Sequence, residues 1–300
     1  MRIYAIIVTY NAMRRSWIDL CLTSIKKSTV SVIPIVVDNG STDGTREHVV
    51  SNHPSAIWLP QEKNLGFGQA NNVGIKFALD HQADYVLLLN QDATIRPDTV
   101  EQMLKVCDKS SLVSPVQLNG DGTRLDMLFK FVLLQADNQL IDDMLVKGNV
   151  NCAYENGMYA AACWFLPATV IKKIGGFNPL FFQYSEDHNY LHRIKYHHLR
   201  VVLATRAFMC HDRDMHGNNK VFSKKELHRE MLLSACDINM TTSQCFVKWC
   251  KLLLHSYTSK LPRLQYIPGT FLLECLWFLL HIESIRSSRK VERHGNYCWL

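Results

Sequence analysis

The sequence predicts an α/β fold in which a mostly parallel central sheet is flanked by helices and followed by a helical C-terminal extension. Two patterns lead to this prediction. Short apolar runs alternate with stretches of helical periodicity, and several of the runs end abruptly at polar residues. The runs are residues 3–8, 33–37, 57–59 and 86–89. Strands separated by helices favour parallel pairing through right-handed crossovers.

The chain is less regular beyond Pro115. Residues 119–150 show no clean period and predict a variable loop region with room for one helix. Shorter elements are expected after it: a strand at 159–167, a helix at 169–174 ended by two glycines, a helix from 186, and strands at 201–203 and 207–210. Residues from 224 onward have helical periodicity. We therefore expect an α/β domain over residues 1–215 and a helical extension over 216–300.

The polar residues that follow the run at 86–89 are the centre of the predicted site. That run suits a strand buried on both faces, and it ends at Asn90, Gln91 and Asp92. Ligands of open α/β sheets bind at the carboxyl ends of the strands, and a carboxylate there can hold a hard divalent cation. The second strand likewise ends at Asp38. The alternative is that these Asn and Asp residues only begin turns.

Composition and charge narrow the class of protein. The formal net charge of +6 is modest and gives no expectation of a nucleic-acid partner, although residues 246–300 carry eight Lys or Arg against three Glu. The ten cysteines include no Cys-x-x-Cys pair, and the first ten residues resemble a strand more than a signal peptide. These features predict reduced thiols and a cytoplasmic location. The pair Gly66 and Gly68 lacks the third glycine of a dinucleotide fingerprint, because Asn71 stands there.

Several stretches taken together resemble the inverting family 2 glycosyltransferases of the GT-A fold, and rhamnosyltransferases in particular. They are Ile-Ile-Val-Thr-Tyr-Asn at 6–11, Val-Val-Asp-Asn-Gly-Ser-Thr-Asp-Gly-Thr at 36–45, Asn-Leu-Gly-Phe-Gly at 64–68, Leu-Asn-Gln-Asp at 89–92, Gly-Gly-Phe-Asn-Pro at 175–179 and Phe-Phe-Gln-Tyr-Ser-Glu-Asp at 181–187. The resemblance covers residues 1–215, which would then form the catalytic domain.

The resemblance implies a nucleotide-diphosphate sugar donor, with UDP or dTDP as the nucleotide, and a divalent cation. Asp38 would accept a hydrogen bond from the N3–H of the pyrimidine base. The other expected nucleotide contacts are Thr9, Tyr10, Asn11, Asn64, Gly66, Asn71, Asn90 and Gln91. Asp92 would be the main protein ligand of Mg²⁺ or Mn²⁺, and His211 would complete the metal site. The family's usual Asp-x-Asp motif has Asn90 at its first position here.

The resemblance also implies the catalytic residues. Asp187 would be the general base that activates the acceptor hydroxyl, with Glu186 as the other candidate, and a single displacement would invert the anomeric carbon. Ser185 is a plausible N-cap, and the helix dipole would favour the ionised forms of both carboxylates. Trp164 could stack on an acceptor sugar or pack in the core. Gly176 and Phe177, in the glycine turn that resembles the family's, are also expected at the acceptor site.

The expected function is sugar transfer to a glycan or a lipid-linked saccharide in cell-surface polysaccharide synthesis. A sugar nucleotidyltransferase and a non-catalytic sugar-nucleotide-binding protein are the alternatives. The first of these would need a glycine-rich loop after strand one, and residues 9–13 contain no glycine. The C-terminal helices have two interpretations: they pack on the catalytic domain or a second subunit, or they contact a membrane surface through Trp249, Trp277 and Phe278. The membrane interpretation also rests on the basic residues that follow Trp277 and Phe278, namely Arg286, Arg289, Lys290 and Arg293.

Overall fold

The computed structural model describes residues 1–135, 139–155, 157–213, 224–258 and 268–300. Within these residues the strands form one curled sheet in the order β3-β2-β1-β4-β8-β6-β9-β5, with β7 paired to β9. The strands are β1 Ile3–Thr9, β2 Ile33–Asp38, β3 Ile57–Pro60, β4 Tyr85–Leu89, β5 Ala93–Ile95, β6 Ser111–Asn119, β7 Ala153–Glu155, β8 Cys163–Pro167 and β9 Arg200–His211.

The helices cover the sheet and form the C-terminal part. They are α1 Trp17–Lys26, α2 Thr45–Asn52, α3 Phe67–Asp80, α4 Thr99–Val106, α5 Met127–Gln135, α6 Gln139–Asp142, α7 Ala168–Ile174, α8 Glu186–Tyr196, α9 Lys224–Cys236, α10 Thr242–Thr258, α11 Pro268–Leu280 and α12 Ile282–His294. Short 3₁₀ and π turns occupy Ala12–Arg14 and Asp143–Lys147.

The parallel half of the sheet confirms the predicted strand and helix alternation. β1, β2, β3 and β4 pair in parallel, and apolar side chains bury both faces of β1, β2 and β4, whereas β3 is only half-buried. The other half is mixed, because β8 runs antiparallel to both β4 and β6. Apolar periodicity does not report strand direction, so this half could not be read from the sequence. The two predicted strands at 201–203 and 207–210 are one long β9, and the partner β6 has a register shift at Pro115 and Val116.

The region predicted as a loop at 119–150 contains two helices. α5 packs Phe129 and Leu133 against β6 and Tyr159, which gives this region a small apolar core of its own. The sequence signal was weak because α5 is apolar on nearly all sides. Its exposed side chains include Phe131 and Leu134.

The C-terminal helices pack against the α/β domain. Arg193 on α8 and Glu292 on α12 are both fully buried and lie 3.7 Å apart, and Asn178 donates hydrogen bonds of 2.7 Å to Glu292 and to Ser288. Removing one member of such a pair would leave a buried charge uncompensated. The last residues cap the glycine turn, because Gly176 donates its backbone N–H to the Cys298 carbonyl oxygen at 2.8 Å.

Part of the predicted interfacial tail is buried in the fold, and its membrane contact stays a prediction. Arg289, one of the four expected basic residues, is buried and donates to the carbonyl oxygens of Asp237 and Met240, each at 2.6 Å. Trp277 and Phe278 pack towards α9. The apolar face of these helices therefore holds the extension together, as the packing interpretation expects. In the part of the chain that the structure describes, no helix combines the length and hydrophobicity that crossing a membrane requires.

Candidate active site

The ends of β1, β2 and β4 meet at one edge of the sheet. Thr9 and Asp38 are register partners at the last positions of β1 and β2. The Thr9 hydroxyl donates to Oε1 of Gln91 at 2.6 Å, and the backbone N–H of Tyr10 donates to the same oxygen at 3.3 Å. Gln91 thus ties the end of β1 to the residues that follow β4. The structure brings together the polar residues that the apolar runs were predicted to deliver.

Asp38 lies at the base of a loop that Asn11 braces. Asp38 is buried, and its Oδ1 accepts the backbone N–H of Ser41 at 3.2 Å. Asn11 has a left-handed backbone with φ of 49°. Its N–H donates to Oγ of Ser41, and its Oδ1 accepts the N–H of Thr42, both at 2.9 Å. Thr9, Asn11 and Asp38 therefore lie close together at this edge of the sheet, and their contact with a nucleotide stays a prediction.

Three other expected nucleotide contacts have structural roles. Asn64 Oδ1 accepts hydrogen bonds from Nδ2 of Asn39 at 2.9 Å and from the N–H of Gly66 at 2.8 Å, so it shapes its own loop. Gly66 has φ of +81°, and a Cβ there would collide with the carbonyl oxygen of Phe182. Asn71 is 1% exposed and donates to the Phe67 carbonyl within α3. The structure contradicts a ligand contact by the Asn71 side chain, because it is enclosed by its own helix.

The predicted metal ligands lie next to each other. Nε2 of His211 is 3.2 Å from Oδ1 of Asp92 and 3.5 Å from Nδ2 of Asn90. Neighbouring ligands of an octahedral Mg²⁺ are about 3 Å apart, so the spacing of Asp92 and His211 fits one cation. Oδ1 of Asn90 is buried and has no hydrogen-bond partner among the described residues, and an amide oxygen is a suitable third ligand. Among those residues no cluster of three His, Cys, Asp or Glu side chains forms a complete site.

Pairing within the sheet positions His211. His211 is the last residue of β9 and lies opposite Ala93 of β5, which follows Asp92 directly. The N–H of Asp212 donates to the Asp92 carbonyl at 2.9 Å, and Oδ2 of Asp212 accepts Nε1–H of Trp17 at 2.7 Å. Two distant parts of the chain therefore form one polar cluster. The sequence alone could suggest each member and could not show that they meet.

Glu186 and Asp187 differ strongly in their surroundings. The side chain of Glu186 is 5% exposed, and its Oε2 has no hydrogen-bond partner in the part of the chain described. Burial, with a smaller contribution from the Asp187 charge, raises the pKa of Glu186 to about 8. The Asp187 side chain is partly exposed, and its Oδ1 accepts the N–H of His188 at 2.8 Å. The expectation that the helix dipole keeps Glu186 ionised is wrong, because desolvation outweighs the dipole.

The turn before these carboxylates is strained and carries an aromatic contact that the sequence did not suggest. Tyr184 and Ser185 have φ of 68° and 71°, a left-handed conformation that side chains disfavour. Ser185 occupies the N-cap position of α8, but its side chain makes no capping hydrogen bond. The guanidinium of Arg229, on α9, lies 4.8 Å from the centre of the Tyr184 ring. Its positive charge also lowers the pKa of Glu186, against the effect of burial.

The expected acceptor-stacking residue belongs to the core. Trp164 is 0% exposed, its ring stacks at 6.2 Å from that of Phe177, and its Nε1–H donates to the Tyr159 carbonyl at 3.1 Å. The structure contradicts acceptor stacking by Trp164 and supports the core alternative. Phe177 is equally buried, and its N–H donates to Oδ1 of Asn72 at 2.7 Å. At Gly176 a Cβ would collide with Asn72, so this glycine allows close packing of the turn on α3 and not on an acceptor.

Known relatives are similar in sequence over part of their length. A hexosyltransferase of low-salt glycan biosynthesis, Agl10 of Haloferax volcanii, is 24% identical over 178 residues, covering 56% of this chain and 54% of the relative. An N-acetylglucosaminyl-diphospho-decaprenol L-rhamnosyltransferase of Mycobacterium tuberculosis is 23% identical over 177 residues, covering 51% and 57%. The chain thus spans about half the length of each of these curated relatives.

Solved structures show the same fold. The crystal structure of GalNAc-T7 with UDP, GalNAc and Mn²⁺ superimposes with a TM-score of 0.63 at 12% identity, covering 100% of this chain and 55% of the other. This likeness confirms the GT-A fold that the sequence predicted. The model of the family described as Glycosyl transferase family 2 matches residues 4–174, which include Asp38 and Asp92. With more than half of its length matched, the chain belongs to glycosyl transferase family 2.

Proposed function

We propose that this protein transfers a sugar from a nucleotide-diphosphate donor to a hydroxyl of a glycan or lipid-linked acceptor, with inversion, in the synthesis of a cell-surface polysaccharide. One observation carries the proposal. In a chain of this family, Asp38 ends β2 beside Thr9, Asp92 lies 3.2 Å from His211, and Glu186 and Asp187 begin α8. These groups supply nucleotide recognition, diphosphate binding and proton transfer.

We propose that Thr9, Asn11 and Asp38 form a recess that holds the nucleotide base. A buried carboxylate oxygen would accept the N3–H of uracil or thymine and would reject cytosine, which presents no hydrogen there. The family name and the UDP in the GalNAc-T7 structure support a nucleotide donor, and the named rhamnosyltransferase supports a deoxyhexose among the candidate sugars. Gln91 would keep the recess in shape through its bonds to Thr9 and Tyr10.

Asp92 and His211 are proposed to hold Mg²⁺ or Mn²⁺, with Oδ1 of Asn90, which lacks a partner among the described residues, as an additional oxygen ligand. When bound, the cation would offset the negative charge that develops on the leaving diphosphate. The Mn²⁺ in the GalNAc-T7 structure agrees with this assignment. The structural contribution of the chain is to hold the Asp92 and His211 side chains 3.2 Å apart before any ligand arrives.

Asp187 is the better candidate for the general base. A base must be ionised at the working pH, and burial raises the pKa of Glu186 to about 8, so Glu186 keeps its proton near neutrality. Asp187 is more exposed and lies at the N-terminus of α8, where the helix dipole favours a negative charge. It would take the proton of the acceptor hydroxyl as the hydroxyl oxygen attacks the anomeric carbon. The neutral Glu186 can donate a hydrogen bond to a sugar oxygen instead.

The test is a titration of the full chain with UDP-sugars, dTDP-sugars and GDP-sugars, with and without Mn²⁺, followed by measurement of nucleoside diphosphate release. We expect binding of a uridine or thymidine donor that weakens when EDTA is added. Asp38→Ala should lose binding, whereas Ala substitution at the exposed Glu62 should not. Wild-type protein that binds none of these donors, or binds GDP-sugars equally well, would disprove the proposed use of Asp38.

A further inference from the structure

A groove next to the candidate metal ligands has no role in the proposed donor binding or proton transfer. One wall is formed by the start of α5 and the residues before it, including Arg124, Leu125 and Met127, and the other wall by His211, Asp212 and Arg213. Its volume is about 410 Å³, within the range of small-ligand sites. Because His211 is part of its wall, the groove opens directly beside the reaction centre.

The α5 side of the groove is unusually apolar for an exposed surface. The helix already buries Phe129 and Leu133. Its opposite side nevertheless exposes further large apolar side chains: Met127 at 49%, Leu128 at 45%, Phe131 at 53% and Leu134 at 71%. Met127 and Leu128 line the groove, and the other two continue the apolar surface away from it along a helix of about 13 Å. Several large apolar side chains exposed on one side of a helix are typical of a binding surface.

Positive charges accompany the apolar side chains. Arg124 and Lys130 are exposed at the groove, while Arg213 is held by Asp126, with Nε 2.9 Å from Oδ2. The groove therefore combines cations near the reaction centre with an apolar surface leading away from it. A ligand that matches both has an anionic group followed by a hydrocarbon chain.

We propose that this α5 groove binds the phosphate and the first part of the hydrocarbon chain of a lipid-linked acceptor. The inference rests on the proposed function and adds where the lipid carrier lies: Arg124 and Lys130 contact its phosphate, and Met127, Leu128 and Phe131 contact its chain. The wall that contains His211 places the sugar attached to that phosphate at the reaction centre. This surface, and not the C-terminal basic helix, is then where the acceptor's lipid is recognised.

The experiment measures binding of octyl phosphate to the full chain by calorimetry, below the concentration at which octyl phosphate forms micelles. Octanol and inorganic phosphate are the comparison ligands, since octanol lacks the phosphate and inorganic phosphate lacks the hydrocarbon chain. Two double variants each remove one kind of contact. Met127→Gln with Leu128→Gln removes apolar contacts, and Arg124→Gln with Lys130→Gln removes the positive charges. The matched control is Leu276→Gln with Leu279→Gln, two leucines of α11 that are similarly exposed and do not line the groove.

We expect octyl phosphate to bind at least tenfold more tightly than octanol or phosphate, and each groove variant to weaken binding roughly tenfold while the α11 control does not. Equal weakening by the control, or wild-type affinity in both groove variants, would overturn the proposal. Two other results would also overturn it. If the wild type is a dimer and the Met127 and Leu128 variant is not, a second copy of the chain occupies the surface. If the wild type binds acidic vesicles and that variant does not, a membrane occupies it. Donor binding is titrated separately: octyl phosphate binding without any donor binding would refute the proposed function and leave the groove's ligand class standing.

Discussion

Replacing Glu186 with glutamine should favour the folded state increasingly as the pH rises. The carboxyl group of Glu186 is 5% exposed at the start of α8, and its neighbours are the like charge of Asp187 and the opposite charge of Arg229. Burial raises the pKa from its ordinary value of 4.5 to about 8. Glutamine has the shape of the protonated side chain and cannot ionise. The substitution therefore removes the cost of keeping that proton.

The expected magnitude follows from the two pKa values. Between pH 4.5 and about 8 the folded state keeps a proton on Glu186 that the unfolded state has lost, so the free energy of unfolding of the wild type falls by about 1.4 kcal/mol for each pH unit. The accumulated loss is about 5 kcal/mol at pH 8 and above. A buried amide that lacks one partner costs roughly 1 to 3 kcal/mol at every pH. The pH dependence of the difference, and not its value at one pH, is therefore the signal.

The assay is urea denaturation of both proteins at pH 5.5, 7 and 8.5. The stability difference between Glu186→Gln and wild type should grow by about 3 kcal/mol in favour of the variant from the lowest to the highest pH. Glu62→Gln serves as the control, since Glu62 is exposed, and its difference should stay constant. A difference for Glu186→Gln that is flat with pH would refute the reasoning, because it would mean that Glu186 ionises normally in the folded protein.

Three further changes test other parts of the structure. Asp92→Asn should abolish the Mn²⁺-dependent part of UDP binding and leave thermal unfolding unchanged, which calorimetry and circular dichroism would check; unchanged Mn²⁺ dependence would contradict the metal assignment. Asp187→Asn should keep donor binding and lower kcat by about 10²- to 10⁴-fold, and a larger loss of kcat in Glu186→Gln would reassign the base. Arg289→Gln should destabilise the fold by roughly 3 kcal/mol in urea denaturation, because it leaves buried carbonyl oxygens unpaired. Arg286 is exposed, so Arg286→Gln should have almost no effect, and equal effects of the two changes would contradict the buried role of Arg289.

The sequence predicted the half of the fold in which local pattern and tertiary structure agree. β1, β2 and β4 are apolar runs buried on both faces, and such runs are informative because few other structures require them. β8 is also an apolar run, but it lies antiparallel between β4 and β6. Its direction depends on pairing with residues more than 40 positions away. Periodicity within the strand carries no information about that choice.

The candidate site was predictable to the extent that its residues follow strands. Asp38 and Asp92 directly follow buried runs, so their place at the sheet edge could be read from the chain. Trp164 illustrates the opposite case. An aromatic residue near a glycine turn suits both sugar stacking and core packing, and only the positions of Phe177 and Tyr190 around it decide between them. Arg229 could not be found at all, because nothing near it in sequence shows that α9 reaches the Tyr184 ring.

The C-terminal extension contacts α8 at its start and again farther along the helix. At the start of α8, Arg229 from α9 lies over the Tyr184 ring, next to the two proposed catalytic carboxylates. Farther along α8, Arg193 is fully buried and pairs with Glu292 from α12. A chain that ended near residue 215 would leave the Arg193 guanidinium without its carboxylate, a loss that costs several kcal/mol when the group is buried. It would also remove the Arg229 contact from the strained turn at Tyr184 and Ser185. Because the proposed base Asp187 needs a fixed position relative to the acceptor hydroxyl, we expect the helices beyond 215 to contribute to that position as well as to stability.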